Sequence, residues 1–261
     1  MSNIKLGAQL YTIREFTKTP EDIEKSLRKI KSLGFDVIQI SAFGPIEPQR
    51  LAGLIHELGL DVCVTHTPYD RLTGDLDAVI AEHKLIGCDT IGLGAMPGQF
   101  REGGVTMEGY RAFLKAVDEI GGKIRDAGLH FAYHNHNFEF QKLEGKTVMD
   151  RMLEDTDPEK FGFIIDTFWL QMGGVSPAAY IRKLKGRMKV CHFKDFAIAP
   201  GERNPVFAEV GEGNLDLHEA FRACEESGVK YIVIEEDVCP RDPFDCLAVS
   251  FKNLKEIAAN H

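Results

Sequence analysis

Short apolar runs recur along the chain at residues 4–10, 36–41, 61–66, 89–94, 129–136, 161–166, 188–193 and 231–237, and each predicts a β-strand. Between them the spacing of apolar positions changes to a helical repeat. Thr19-Pro20-Glu21-Asp22 supplies a cap and a proline at the first helical position ahead of IEKSLRKIKSLG, which stops at Gly34. The segment PQRLAGLIHELG stops at Gly59, and YRAFLKAVDEIGGKIRDAG stops at Gly128. The junctions LGFDV, LGLDV and AGLHF repeat one order: helix, glycine stop, apolar strand. Eight such units predict an α/β fold, a parallel sheet closed into a (β/α)8 TIM barrel, as one domain over residues 1–261. A doubly wound open sheet is the alternative, but it would carry a glycine-rich phosphate loop after its first strand, where this chain reads GAQLYTIRE. The G-x-G in VGEGN at 210–214 follows strand seven and opens no nucleotide-binding helix.

Composition narrows the partners. The 261 residues are 44% hydrophobic and 27% charged, an ordinary globular balance, with a formal net charge of −9. An acidic chain without a Lys/Arg cluster argues against a nucleic-acid partner and for a small molecule. The N-terminus lacks a basic segment followed by an apolar one, and no apolar run reaches the ~18 residues a membrane span needs. A cytoplasmic protein is expected. Cys63, Cys88, Cys191, Cys224, Cys239 and Cys246 are scattered without a C-x-x-C pair, which predicts reduced core thiols rather than a cysteine-ligated zinc site.

In a β/α barrel, the polar residue that closes a strand faces the active-site mouth. Strand five closes in His134-Asn135-His136, strand six in Asp166, strand seven in His192 and strand eight in Glu235. Those strands are contiguous, so these side chains share one wall of the mouth. Two carboxylates in a partly dehydrated pocket repel and carry a desolvation penalty, and a divalent cation offsets both terms. Mixed nitrogen and oxygen donors suit Mn²⁺ best, with Co²⁺, Zn²⁺, Fe²⁺ or Mg²⁺ as alternatives. Taken singly, each residue has a plainer reading: a hydrogen-bonded structural histidine, a helix cap at Asp166, a solvated rim at Glu235-Glu236-Asp237.

The motifs HNHNFEF, IIDTFW, CHFKDF, EVGEGNLD and VIEED, in that order, resemble the xylose isomerase-like TIM barrel superfamily and its sugar (phosphate) isomerase/epimerase family. The resemblance runs from KLGAQLYTIR onward and implies one metal ion held by Glu, Asp, His and Glu from strands five to eight. Three of those places fall on Asp166, His192 and Glu235. Strand five departs, with His134 where the usual Glu stands, and His136 or Glu139 are the other candidates for that ligand. Under two-residue alternation, His136 would share the side of the strand that His134 takes.

The resemblance also implies proton transfer by the groups around the metal, here His134, His136 and Glu235. Lys194 and Asp195 take the place of a substrate-orienting pair, and Lys194 is suited to an oxyanion. His66, in VTHTP, is a candidate base or hydroxyl-binding group. Trp169, Glu209, Glu139 and Gln39 complete the candidate substrate contacts. The implied reaction is isomerisation or epimerisation of a ketose or keto-sugar through an enediolate. The alternative is a lyase or hydrolase of 3-keto glycosides, in which the same enolate expels a β-substituent and a strand-five histidine with a near-neutral pKa serves as base. A non-catalytic sugar-binding barrel or an endonuclease-type phosphodiesterase is the remaining reading, disfavoured by the acidic balance. No arginine cluster marks a phosphate site near strand eight, which favours an unphosphorylated sugar. A homo-oligomer is possible.

Overall fold

The computed structural model describes residues 2–98 and 104–261. Its strands are β1 (Lys5–Gln9), β2 (Val37–Ile40), β3 (Asp61–Thr67), β4 (Thr90–Leu93), β5 (His130–His134), β6 (Gly162–Asp166), β7 (Met188–Phe193) and β8 (Tyr231–Ile234). All eight are parallel, pair in chain order, and close when β8 meets β1, with Lys5 opposite Tyr231 and Ala8 opposite Ile234. The expected barrel is the observed one. Two strands stop more than one residue before their expected ends: β5 ends at His134, so Asn135 and His136 lie in the turn beyond it, and β8 ends at Ile234.

Helices cover the outside: α1 (Pro20–Ser32), α2 (Pro48–Leu58), α3 (Leu76–Ile86), α4 (Met107–Asp126), α5 (Val148–Asp155), α6 (Pro177–Lys183), α7 (Leu217–Ser227) and α8 (Pro243–Ala259). The local chemistry explains their ends. Thr19 Oγ1 accepts the Asp22 N–H at 3.2 Å and Pro20 opens α1, while Ile23, Leu27 and Ile30 form its buried stripe. The glycine stops work through backbone handedness, since Gly34, Gly59 and Gly128 all hold positive φ. Among the described residues, no helix is long and apolar enough to cross a membrane.

Strand alternation sorts the apolar residues into two clusters. The outer one lies between sheet and helices; the inner one, Val37, Cys63, Val64, Ala132, Ile164, Val190 and Val233, plugs the barrel. The plug is tight. A Cβ at Gly92 would stand 2.2 Å from the Thr65 carbonyl oxygen and 2.9 Å from Ile164 Cδ1, so only glycine fits that place on β4. Between Ile38 and Gln39 the pairing of β2 with β3 slips by one residue, from Val62 to Val64.

Candidate metal centre

One step further along each strand, alternation carries the inward column from apolar to polar. Gly7 is followed by Gln9, Val37 by Gln39, Val64 by His66, Ala132 by His134, Ile164 by Asp166, Val190 by His192 and Val233 by Glu235. The plug becomes the floor of a polar layer. One donor atom from each of His134, Asp166, His192 and Glu235 lies within 4.8 Å of the others, and all four side chains are buried.

The hydrogen bonds around this cluster leave its lone pairs pointing inward. His134 Nδ1 donates to the Gly94 carbonyl at 3.2 Å, which leaves Nε2 facing Asp166 Oδ2 at 3.8 Å and Glu235 Oε2 at 3.9 Å. Asp166 Oδ1 accepts the Trp169 N–H at 3.0 Å. Both His134 Nε2 and Asp166 Oδ2 are buried without a hydrogen-bond partner. His192 Nε2 donates to Gln39 Oε1 at 2.8 Å, so a neutral ring turns its Nδ1 lone pair towards Glu235 Oε2, 2.9 Å away. Two acceptors at that distance need a cation or a proton between them. Lys194 is the ammonium at hand, with Nζ 3.6 Å from Asp166, 3.4 Å from Glu235 and 2.8 Å from Asp237.

The residues therefore fit the expected ion. Two nitrogens and two oxygens converge, two of them are orphaned in the protein alone, and a divalent cation would neutralise the surplus negative charge. Burial pushes the Asp166 carboxyl above its ordinary range, against the pull of Lys194. Glu235 goes the other way, because Lys194 and His192 outweigh its burial and hold it well below. Lys194 is held above its usual range, since the Glu235, Asp166 and Asp237 carboxylates overcome its desolvation. Burial and the neighbouring imidazoles bring His134 and His136 down to about 3 and His66 well below its usual value. At neutral pH these three rings are uncharged, which corrects the expectation of a near-neutral strand-five base.

Above the cluster opens a cleft of about 540 Å³, lined among others by Tyr11, His66, Tyr69, Asp70, Met96 and His136. That volume suits a sugar-sized ligand. His66 stands over the cluster, its ring 4.9 Å from that of His134 and 5.6 Å from that of His192, with Nε2 unpartnered. Because β5 ends early, His136 does not share an alternating column with His134. It packs edge-on against that ring at 4.9 Å and leans on Phe138 at 5.1 Å and Trp169 at 5.3 Å. The Trp169 ring lies under Lys194 Nζ at 5.1 Å, and its indole N–H is buried without a partner.

Four expected substrate contacts are placed otherwise. Asp195 is sealed into the loop structure, Oδ1 accepting from Phe196 and Leu215 N–H and Oδ2 from Gly211 and Gly213 N–H. With every lone pair in use, it cannot orient a substrate. Glu139 is fully buried, accepting from the Tyr133 hydroxyl and, at 2.8 Å, from the His136 N–H, so it braces the strand-five turn instead of binding metal or sugar. Glu209 pairs with Arg241 at 2.6 Å. Gln39 Oε1 holds His192, while its Nε2 is buried without a hydrogen-bond partner. The rim reading also fails for Glu235 and Glu236, which are 3% and 1% exposed.

Gln9 and Asp237 carry roles that the sequence reading passed over. Gln9 Nε2 donates to Glu235 Oε1 at 3.1 Å, and Asp237 pairs with Lys194. Gln9 closes β1 in GAQL, so the strand-end criterion would have found it. Asn135 Oδ1 accepts the Asp166 N–H at 3.0 Å and ties β5 to β6 at the site.

Fold and strand-end cluster together define a parallel β/α barrel with a mixed nitrogen and oxygen donor set at its C-terminal mouth. The sequence matches the family described as xylose isomerase-like TIM barrel over residues 27–257, and the chain belongs to that family. It is 25% identical over 156 residues to an inosose dehydratase of Lacticaseibacillus casei, an alignment that covers 54% of this chain and 52% of that protein. The chain thus spans about half the length of that relative. A sugar phosphate isomerase/epimerase of Parabacteroides distasonis superposes with a TM-score of 0.79 over 97% of this chain and 98% of that one, at 24% identity. A probable 3-DHS dehydratase of Bacillus anthracis gives 0.73 over 97% of this chain and 99% of that one, at 13% identity.

Proposed function

We propose that this chain is an enzyme that removes the proton α to the carbonyl of a keto-sugar or similar polyhydroxylated ketone and then expels a β-placed hydroxyl or glycosidic substituent. The observation that carries the reading is the strand-five departure. His134 is tied at Nδ1 to Gly94 and aims Nε2 into the cluster, so it serves as a ligand and leaves no carboxylate to exchange protons from that side. An epimerase of the usual two-glutamate design needs that second base. An elimination needs one base that can return its proton to the leaving oxygen. The sequence similarity to an inosose dehydratase supports the same choice.

His134, Asp166, His192 and Glu235 would hold the divalent ion, which supplies Lewis acidity worth several kcal/mol towards α-proton removal. His136, neutral and at the cleft, is the base we assign. As the α-carbon loses its proton, the substrate becomes anionic, and that charge stabilises the new imidazolium against its burial. Lys194, an ammonium held charged in a water-poor pocket, faces the developing oxyanion. The electron pair from the broken C–H bond forms the double bond, the β C–O bond breaks, and His136 gives its proton to the departing oxygen. Trp169, beside both groups, offers an aromatic plane to the sugar.

A second reading, isomerisation or epimerisation, rests on His66, a second neutral imidazole at another point of the cleft that could return the proton elsewhere. Turnover of the Mn²⁺-loaded protein in D₂O with free ketoses, sugar phosphates and 3-keto glycosides separates the two. A product lighter by one water, or a sugar split from its substituent, is expected. An isomer that keeps its composition and gains one deuteron establishes the second reading, and substrates recovered unlabelled and unchanged overturn both.

A further inference from the structure

Behind the strand-end cluster lies a second convergence of metal-capable side chains. A Glu236 carboxylate oxygen, Cys239 Sγ and Cys246 Sγ lie within 4.8 Å of one another. Glu235 points into the barrel, and the next residue, Glu236, points out towards α8, so the two groups stand back to back across one peptide. Cys239 comes from the loop after β8, and Cys246 from the first turns of α8.

Glu236 is held at two points and left open at a third. Its N–H donates to Thr12 Oγ1 at 3.0 Å, and its Oε1 accepts from Ser250 Oγ at 2.8 Å. The residue is 1% exposed, and Oε2 is buried with no hydrogen-bond partner. A buried carboxylate with an open oxygen beside two sulfurs is costly unless it keeps a proton or meets a cation. Glu209, which interacts with both Glu236 and Cys246, stands at the edge of the group as a second oxygen donor, steadied by Arg241 at 2.6 Å.

We infer that Glu236, Cys239 and Cys246, with Glu209 at the edge, form a second metal site, selective for a thiophilic divalent ion of the zinc class. The donors set the selectivity: two thiolates and carboxylate oxygen match tetrahedral Zn²⁺ or Co²⁺, whereas the sulfur-free strand-end cluster suits harder ions. On binding, each thiol gives its proton to solvent and forms a sulfur–metal bond, with no change of oxidation state. The seven-position spacing of the two cysteines is not that of a zinc ribbon, because the barrel rim, not a knuckle, brings them together. Such an ion would pin the segment from Glu235 to Cys246, which carries Asp237 and hence the partner of Lys194.

Cobalt titration of the reduced, metal-free protein reads the two sites apart. Thiolate-to-cobalt charge transfer gives intense near-ultraviolet absorption, and the strand-end cluster has no sulfur to produce it. The wild-type protein is expected to show that band and to bind a second equivalent of cobalt. Asp166→Asn should lower the cobalt count and keep the band; Cys239→Ser and Cys246→Ser should lose it. Zn²⁺ added to the cobalt-loaded protein should bleach it. Absence of the band in reduced wild-type protein at saturating cobalt overturns the inference without any variant having to fold, and so does a band that survives in the Cys239→Ser, Cys246→Ser double variant.

Discussion

Asp166 closes β6 and Asp195 stands two residues after β7, both buried aspartates at the mouth of the same barrel, both raised above the ordinary carboxyl range chiefly by burial. They differ in what their oxygens meet. Asp195 receives four backbone N–H groups, all at 3.1 Å or less, which turn the chain through Gly211 and Gly213 and hold the rim. Asp166 receives one, and its other oxygen faces two imidazoles, an ammonium and a second carboxylate. A satisfied buried acid is structure; an unsatisfied one among other open lone pairs is an unfinished coordination shell.

Substitution should separate the two most sharply at Asp166. Asp166→Asn is expected to lose bound Mn²⁺ and about 10³-fold in turnover while keeping the melting midpoint of the metal-free protein, read by elemental analysis and calorimetry. Asp195→Ala should do the reverse, costing about 3 kcal/mol in denaturant unfolding because its backbone donors lose a charged acceptor, with metal retention unchanged. Turnover lost together with stability in the first variant would erase the distinction.

Gln39→Leu tests a positioning role. With the His192 ring no longer held at Nε2, metal affinity should fall by about 10–100-fold. Gly213→Ala sharpens the Asp195 side, since its Cβ would stand 2.3 Å from Asp195 Oδ1, and a loss of about 1–3 kcal/mol without change in metal affinity is expected. The smallest effect is in pH. Burial raises Asp166 in the metal-free protein, so protons compete with metal at higher pH than at an ordinary carboxylate of pKa ~3.9. Mn²⁺ affinity should therefore start to fall on acidification well above that value, whereas the Asp195 loop binds no metal and should leave no mark on the isotherm.

The barrel is legible in the sequence because its signals are local: an apolar run, a glycine of positive φ and a capped helix, repeated. Asp166, His192 and Glu235 stand out for the same reason, each ending such a run. What the chain conceals is which lone pairs are already taken. Asp195 and Glu139 look as available as Asp166 until Gly211, Gly213 and Leu215 from a later loop, and Tyr133 from β5, occupy them. Gln39 reads in the sequence as a candidate substrate contact, and its hydrogen bond to His192 ties it to the cluster instead. Strand five ends two residues before its expected end, and that moves His136 from the column above His134 to the open cleft.

The apolar plug of Val37, Val64, Ala132, Ile164, Val190 and Val233 has a stereochemical consequence. It closes the underside of the polar layer, so solvent protons reach a bound substrate from the mouth alone. Any carbon that picks up deuterium from heavy water while bound should carry it with a single handedness, and NMR of the labelled product would display that one-sidedness as one diastereotopic signal in place of two.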